Sequence, residues 1–279
     1  MDKALIYLTG LLLICLAAAS ASAQDFQKRY QIGPGGEVRV HSSSGNVHVS
    51  GYDGQDIVVT AYKEGRDRDW VSIADHSDAS HIDISSEHPR RNNVHASVRF
   101  EVEVPRSQTY EFSNISTSSG DVRVSSITGK LIAHSSSGNV TVADVSGAVN
   151  ATSSSGNVSV TNAQGDVNAN SSSGNVGVNN ARGEVSARTS SGDVEVRISQ
   201  LKPGASYDFG TSSGNVTVSV PAALDAEVSM STSSGSVNCD FPITVQGKLS
   251  PHRIHGVIGG GSGKIRMESS SGNVTLRRI

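Results

Sequence analysis

Apolar positions two apart dominate the middle of this chain, and the same pairs return every 18 residues. Val122, Val140, Val158, Val176 and Val194 form one column, and Val124, Val142, Val160, Val178 and Val196 form the next. Leu131, Val149, Val167 and Val185 form a third, with Ala133, Ala151, Ala169 and Ala187 beside it. Spacing of two puts both members of a pair on one face of a strand, and the spacings of three and four that a helix needs are absent. β-Branched Val also suits a pleated surface.

One phrase punctuates these strands. The form [ST]-S-S-G-[NDS]-V occurs nine times, with its glycines at 45, 120, 138, 156, 174, 192, 214, 235 and 272. A second set, Gly129, Gly147, Gly165 and Gly183, falls nine residues on, so one period holds two strand-and-turn halves. Self-similarity at a fixed short period marks a solenoid. A lone coil buries too little apolar surface to fold, so stacking must supply the rest. Nine coils at ~4.8 Å make a rod of about 40 Å. Tight corners call for positive φ, which Gly adopts freely and Asn or Asp tolerates. Stacking would set Asn139, Asn157 and Asn175 above one another in a hydrogen-bonding ladder.

The ends are less regular. Residues 24–112 hold one clear copy of the phrase, with strand-like runs at 37–40, 56–62, 81–85 and 98–104. Charge gathers in Lys63–Trp70 and Glu87–Arg91, which read as solvated loops. This region is expected to form irregular coils that cap the stack, since an end coil exposes strand edges. Residues 113–279 form the regular solenoid with its own cap, and 24–279 read as one continuous domain. Pro203-Gly204 and Pro221 mark insertions, and Pro242–Lys264 delays the last copy, which closes the chain.

The first 23 residues read as a cleaved export signal: Lys3, an apolar run from Ala4 to Ala19, then Ala21-Ser22-Ala23. The run is shorter than a bilayer span, so no stable transmembrane segment is expected after cleavage. Ile14 before Cys15 does not suit a lipid anchor. Cleavage would leave Cys239 alone, unable to form an internal disulfide, and it reads as a buried inert thiol. The expected location is the periplasm, the cell surface or the extracellular space.

The formal net charge of −3 lacks the basic footprint of a nucleic-acid binder, and the 4% aromatic content argues against a core built on large rings. Several motifs invite chemistry. Gly259–Lys264 lacks the first Gly and the Ser or Thr of a phosphate loop, and no Asp follows it where a calcium nonapeptide needs one. Histidines 76, 81, 88 and 95, and the His252/His255 pair, lack further ligands at metal spacing. Asp166 and Glu184 share a column in adjacent coils. They could lie ~5 Å apart like glycosidase carboxylates, although Lys130 and Ala148 complete the column and a corner role is the plainer reading. No catalytic, cofactor-binding or metal-binding residue is assigned, and no cofactor is expected.

The Ser-Ser-Gly-Asn-Val copies, Val102–Pro105, Val220-Pro221-Ala222 and His255–Gly261 followed by Ser270–Val274 resemble the bacterial "putative adhesin" β-strand-repeat domains of unknown function. The resemblance covers nearly all of the chain after residue 23. It implies an all-β, single-stranded, right-handed β-helix on an exported protein, and it carries no catalytic residue. The expected function is non-enzymatic: an envelope β-solenoid whose partner is a glycan, another envelope protein or a second copy of itself. The alternatives are a polysaccharide-active β-helix enzyme and a fibre-forming subunit resembling curli.

Overall fold

The computed structural model describes residues 24–89, 93–245 and 250–279. The expected export signal, and Arg90 and Arg91 of the second charged loop, lie outside the described residues. The fold is all-β, with one short 3-10 turn at Arg68–Trp70 and no α-helix among the described residues.

Two long sheets of 12 and 13 strands enclose one continuous core. In the middle of each sheet the strands are parallel, and partners differ by 18 positions. Val140 pairs with Val122 on one side and Val158 on the other. Val149 pairs with Leu131 and Val167 in the facing sheet. The Val and Leu columns are buried as the two-residue spacing requires. The Ala column of the second sheet is small only in the middle. Through Ala133 it runs into Ile115, Val40 and Ile84 at one end, and through Ala187 into Phe209, Met267 and Met230 at the other. The ends of the core are thus filled by bulkier side chains.

Each position of the repeated phrase has a separate job. The first residue, Ser or Thr, is buried in all nine copies. In eight of them its hydroxyl donates to a glycine carbonyl of the neighbouring coil, as Ser153 Oγ does to Gly138 O and Thr189 Oγ1 to Gly174 O, both at 2.8 Å. The fourth residue must be Gly because coils nearly touch there. A Cβ built on Gly156 would lie 2.1 Å from Gly138 O, and one on Gly138 would lie 1.9 Å from Gly120 O. The expected positive φ holds at six of the nine, Gly45, Gly120, Gly192, Gly214, Gly235 and Gly272, but it is not the general cause, since Gly138, Gly156 and Gly174 do not adopt it. Left-handed residues also occur at Ser126, Asp144, Asn162 and Asn180, on the opposite side of the coil.

The fifth residue forms the expected ladder, with a different donor. The side-chain oxygen accepts the backbone N–H of the same position one coil on: Asn157 N to Asn139 Oδ1 at 3.0 Å, Asn175 N to Asn157 Oδ1 at 2.8 Å, Asp193 N to Asn175 Oδ1 at 2.8 Å. The run begins at Asn46 and ends at Ser236, which donates to Asn273 Oδ1. Only an acceptor oxygen is needed inside the run, so Asn and Asp alternate freely. At Ser236, the last rung, the acceptor is dispensable. A side-chain amide ladder of the expected kind exists at the other corner, where Asn162 Nδ2 donates to Asp144 Oδ1 and Asn180 Nδ2 to Asn162 Oδ1, both at 2.8 Å.

Spatial order departs from sequence order at both ends. The last copy, on strands Gly263–Ser271 and Val274–Arg278, does not terminate the stack. It lies between the coil of Ser206–Ser213 and Val216–Val220 and the coil of Ala226–Ser234 and Val237–Cys239. At the other end, His81–Glu87 and Ser97–Pro105 lie outside Glu37–Ser42 and Val47–Tyr52, which pair directly with Glu111–Thr117 and Val122–Thr128. Antiparallel strands cover the outer coils: Ile57–Glu64, Phe26–Tyr30 and Ser72–Asp75 at one end, Arg253–Ile258 and Thr244–Val245 at the other.

Candidate functional site

With positions one, four, five and six of the phrase engaged in the fold, positions two and three remain. They are Ser-Ser in all nine copies, and from Ser154 onward every one of them is exposed. These serines border the outer face of the second sheet, where three grooves adjoin. The first, of 480 Å³, runs from Lys130 past Asp166 and Glu184 to Asp208. A second and a third, each of 570 Å³, share Ser231 and Glu268, and the third meets the first at Ser206.

The column of Lys130, Ala148, Asp166 and Glu184 therefore does line one groove. Its carboxylates are held by backbone. Glu184 N–H donates to Asp166 Oδ1 at 2.8 Å, and Ser206 N–H to Glu184 Oε1 at 3.2 Å. This is the acceptor-ladder geometry of the phrase corners repeated on the opposite corner, the role expected of a structural carboxylate.

The histidines are dispersed. His81 Nδ1 lies 2.9 Å from Asp78 Oδ1, His88 Nε2 lies 3.3 Å from Ala96 O, and the N–H of His95 donates to Asp67 Oδ2 at 2.8 Å. His252 Nδ1 meets Gly235 O at 2.7 Å, while His255 Nε2 faces Glu227 Oε1 at 3.6 Å. Among the described residues no three His, Cys, Asp or Glu side chains converge as metal ligands would. Cys239 is half-buried, and burial raises its thiol pKa, which disfavours the reactive thiolate. In the Gly259–Lys264 turn, Asp225 accepts the Ser262 N–H at 3.2 Å and its hydroxyl at 3.0 Å. Those bonds, the backbone one first, hold the Asp225 carboxyl below the usual range, so the turn presents a carboxylate where a phosphate would need donors.

Sequence reasoning missed a charged quartet on the same face. Arg188 Nε and Nη2 grip Asp208 at 2.5–2.8 Å, and Arg266 Nε and Nη2 donate to Glu268 Oε1 at 2.8 and 2.5 Å. Asp208 and Arg266 are direct strand neighbours although 58 positions apart. The 37-residue gap before the last phrase, and the insertion of that coil, hid the pairing.

A separate clasp joins the sheets at the N-terminal end. Lys28 Nζ and Tyr30 Oη, on the edge strand of the first sheet, both donate to Asp75 Oδ2 on the edge strand of the second, at 2.5 and 3.0 Å. Desolvation pushes the Asp75 carboxyl up, but the bonds from Lys28, Ser77 and Tyr30 outweigh it and hold the pKa at about 2.

The architecture defines a two-sheet parallel β-solenoid with sealed ends and a grooved outer face. The chain belongs to the Toastrack DUF4097 family, whose pattern it matches over residues 38–277. No curated protein matches it. Among solved structures it is similar to a "putative adhesin" from Bacteroides fragilis, at 14% identity over 90% of this chain and 96% of that one, with a TM-score of 0.48. A "putative adhesin" from Parabacteroides distasonis shows 11% identity over 90% and 96%, with a TM-score of 0.41. A "putative cell adhesion protein" from Clostridium sporogenes shows 12% over 91% and 99%, with a TM-score of 0.26.

Proposed function

We propose that this protein is an exported, non-enzymatic solenoid of the cell envelope that binds a partner along the outer face of its second sheet. The observation that carries this reading is the adjoining run of grooves from Lys130 to Arg253, built on rigid parallel strands. Export follows from the sequence of residues 1–23, and the 18-residue coils wind right-handedly, as strand–crossover–parallel strand connections prefer. The carboxylates that invited a glycosidase reading are engaged by backbone N–H groups. The short capped ends disfavour templated fibre growth.

Cell fractionation and a glycan array, both with tagged protein, test the reading. Envelope or surface location with saturable binding to cells or glycans supports it. A cytoplasmic location overturns the export reading, and hydrolysis of a polysaccharide overturns the non-enzymatic one.

A further inference from the structure

Two strand glycines, Gly177 and Gly210, have no backbone reason to be there, and of the two only Gly210 faces a charged side chain. Gly210 lies mid-strand in Ser206–Ser213, and its φ is outside the left-handed region. The corner glycines oppose neighbouring backbone, but a Cβ on Gly210 would meet only the Arg188 guanidinium, Nη1 at 2.8 Å, with Glu268 O no nearer than 3.7 Å. Its column otherwise carries side chains: His134, Thr152, Asn170 and Arg188 before it, Glu268 after it. A glycine inside a strand weakens it and often marks a place where a ligand approaches.

The vacancy sits in the 570 Å³ groove between Arg188 and Glu268. Arg188 lies across it, fixed by its bidentate grip on Asp208, with no hydrogen bond to Nη1 among the described residues. Glu268 is fixed through Oε1 by Arg266, and Oε2 likewise has no such partner. Ser212 and Ser270, from the exposed double serine row, form the rim. Two arginines, one aspartate and one glutamate cancel in charge, so neither an anion nor a cation is favoured. What remains is a donor, an acceptor and hydroxyls that do either.

We infer that the cleft over Gly210 binds a neutral sugar ring of a glycan, with Arg188 Nη1 donating to one ring hydroxyl, Glu268 Oε2 accepting from another and the rim serines completing the set. The adjoining groove, which shares Ser231 and Glu268, carries the neighbouring sugars, so an oligosaccharide fits better than a monosaccharide. This rests on the partner-binding reading above and names its ligand class and subsite.

The test titrates wild type, Gly210→Thr and Arg188→Lys with neutral cello-, malto-, xylo- and manno-oligosaccharides and with polygalacturonate, by saturation-transfer NMR. Gly177→Thr, a strand glycine of the first sheet with open space around its Cβ position, is the control. A neutral oligosaccharide should bind wild type and the control alike. Gly210→Thr and Arg188→Lys should weaken it about tenfold or more while the melting midpoint stays within a few degrees. Equal binding to wild type and Gly210→Thr overturns the cleft and leaves the grooved-face reading intact. Binding of polygalacturonate alone overturns the neutral ligand. No glycan binding overturns the inference, and the fractionation and cell-binding assays then judge the broader reading independently.

Discussion

Replacing Gly156 by Ala separates two explanations for the corner glycines. If conformation were the reason, the substitution should be harmless, because Gly156 does not adopt positive φ. Restricting the unfolded chain would then stabilise by about 0.4–1 kcal/mol. Close approach predicts the reverse. The new Cβ would sit 2.1 Å from Gly138 O, 2.5 Å from its carbon and 3.0 Å from Asn139 N. Relief requires the corner to move by about 1 Å, because packed backbone gives little. That movement stretches Ser155 N–Ser136 O, now 3.1 Å, and Asn157 N–Asn139 Oδ1, now 3.0 Å, beyond hydrogen-bonding range. It also presses on the carbonyl that accepts the Ser153 hydroxyl at 2.8 Å. Three weakened bonds at about 1 kcal/mol each, less the entropic gain, leave a net loss of about 2 kcal/mol. For a chain of this size that is a midpoint drop of about 4–8 °C. Gly177→Ala is the matched control: it has no atom within 4 Å of the new Cβ, so it should gain the entropic term and melt slightly higher. Thermal melts of both variants decide the matter. A Gly156→Ala midpoint at or above wild type would refute the close-approach argument.

Ser171→Ala should cost about 1–3 kcal/mol by leaving Gly156 O without its donor, whereas Ser171→Thr should be nearly neutral; urea melts check both. Asp75 has a depressed folded-state pKa. Its contribution is therefore complete above the ordinary carboxylate range near pH ~4 and is lost as pH falls toward about 2. Hydrogen exchange of Phe26–Tyr30 should rise over that window in wild type, and Asp75→Asn should abolish the change. Deleting residues 259–279 removes an interior coil, so limited proteolysis should cut throughout 206–258; protection equal to wild type there would contradict the observed strand order.

The central solenoid was legible because each layer of the argument repeats. Two-residue spacing set which side chains face inward, and the 18-residue period set which ones stack. The Asn column was legible as a ladder, but its donor was not, since a side-chain oxygen can meet an amide of either kind. The corner glycines were legible as necessary, and the expected positive φ holds at six of the nine; the cause common to all of them, coil-to-coil approach, appears only when neighbours are stacked. Asp166 and Glu184 were brought together as expected, and only the backbone donors revealed their occupation. Gly210 was invisible because its column partners lie 22 positions before it and 58 after it.

The order of the end coils was illegible for the reason the middle was clear. Every copy of the phrase presents the same hydroxyl, the same carbonyl and the same acceptor oxygen, so any copy can dock on any other. In a stack built in chain order, the final coil has one neighbour and frays first. Here the final coil has two, pairing with Val216–Val220 and Val237–Cys239 in one sheet and with Ser206–Ser213 and Ala226–Ser234 in the other. The coil left outside is bound by chain at both of its ends and covered in the second sheet by the antiparallel strand Arg253–Ile258. The same exchange at the N-terminal end leaves His81–Glu87 and Ser97–Pro105 outermost, covered by Ser72–Asp75 and Ile57–Glu64. Four short edges remain, Phe26–Tyr30 and Val237–Cys239 in one sheet, Ser72–Asp75 and Thr244–Val245 in the other. Short or charged edges are poor templates for another chain. A repeat that could extend without limit is thereby closed at a fixed length, which gives the grooved face a defined number of coils on which to place the Arg188, Gly210 and Glu268 cleft.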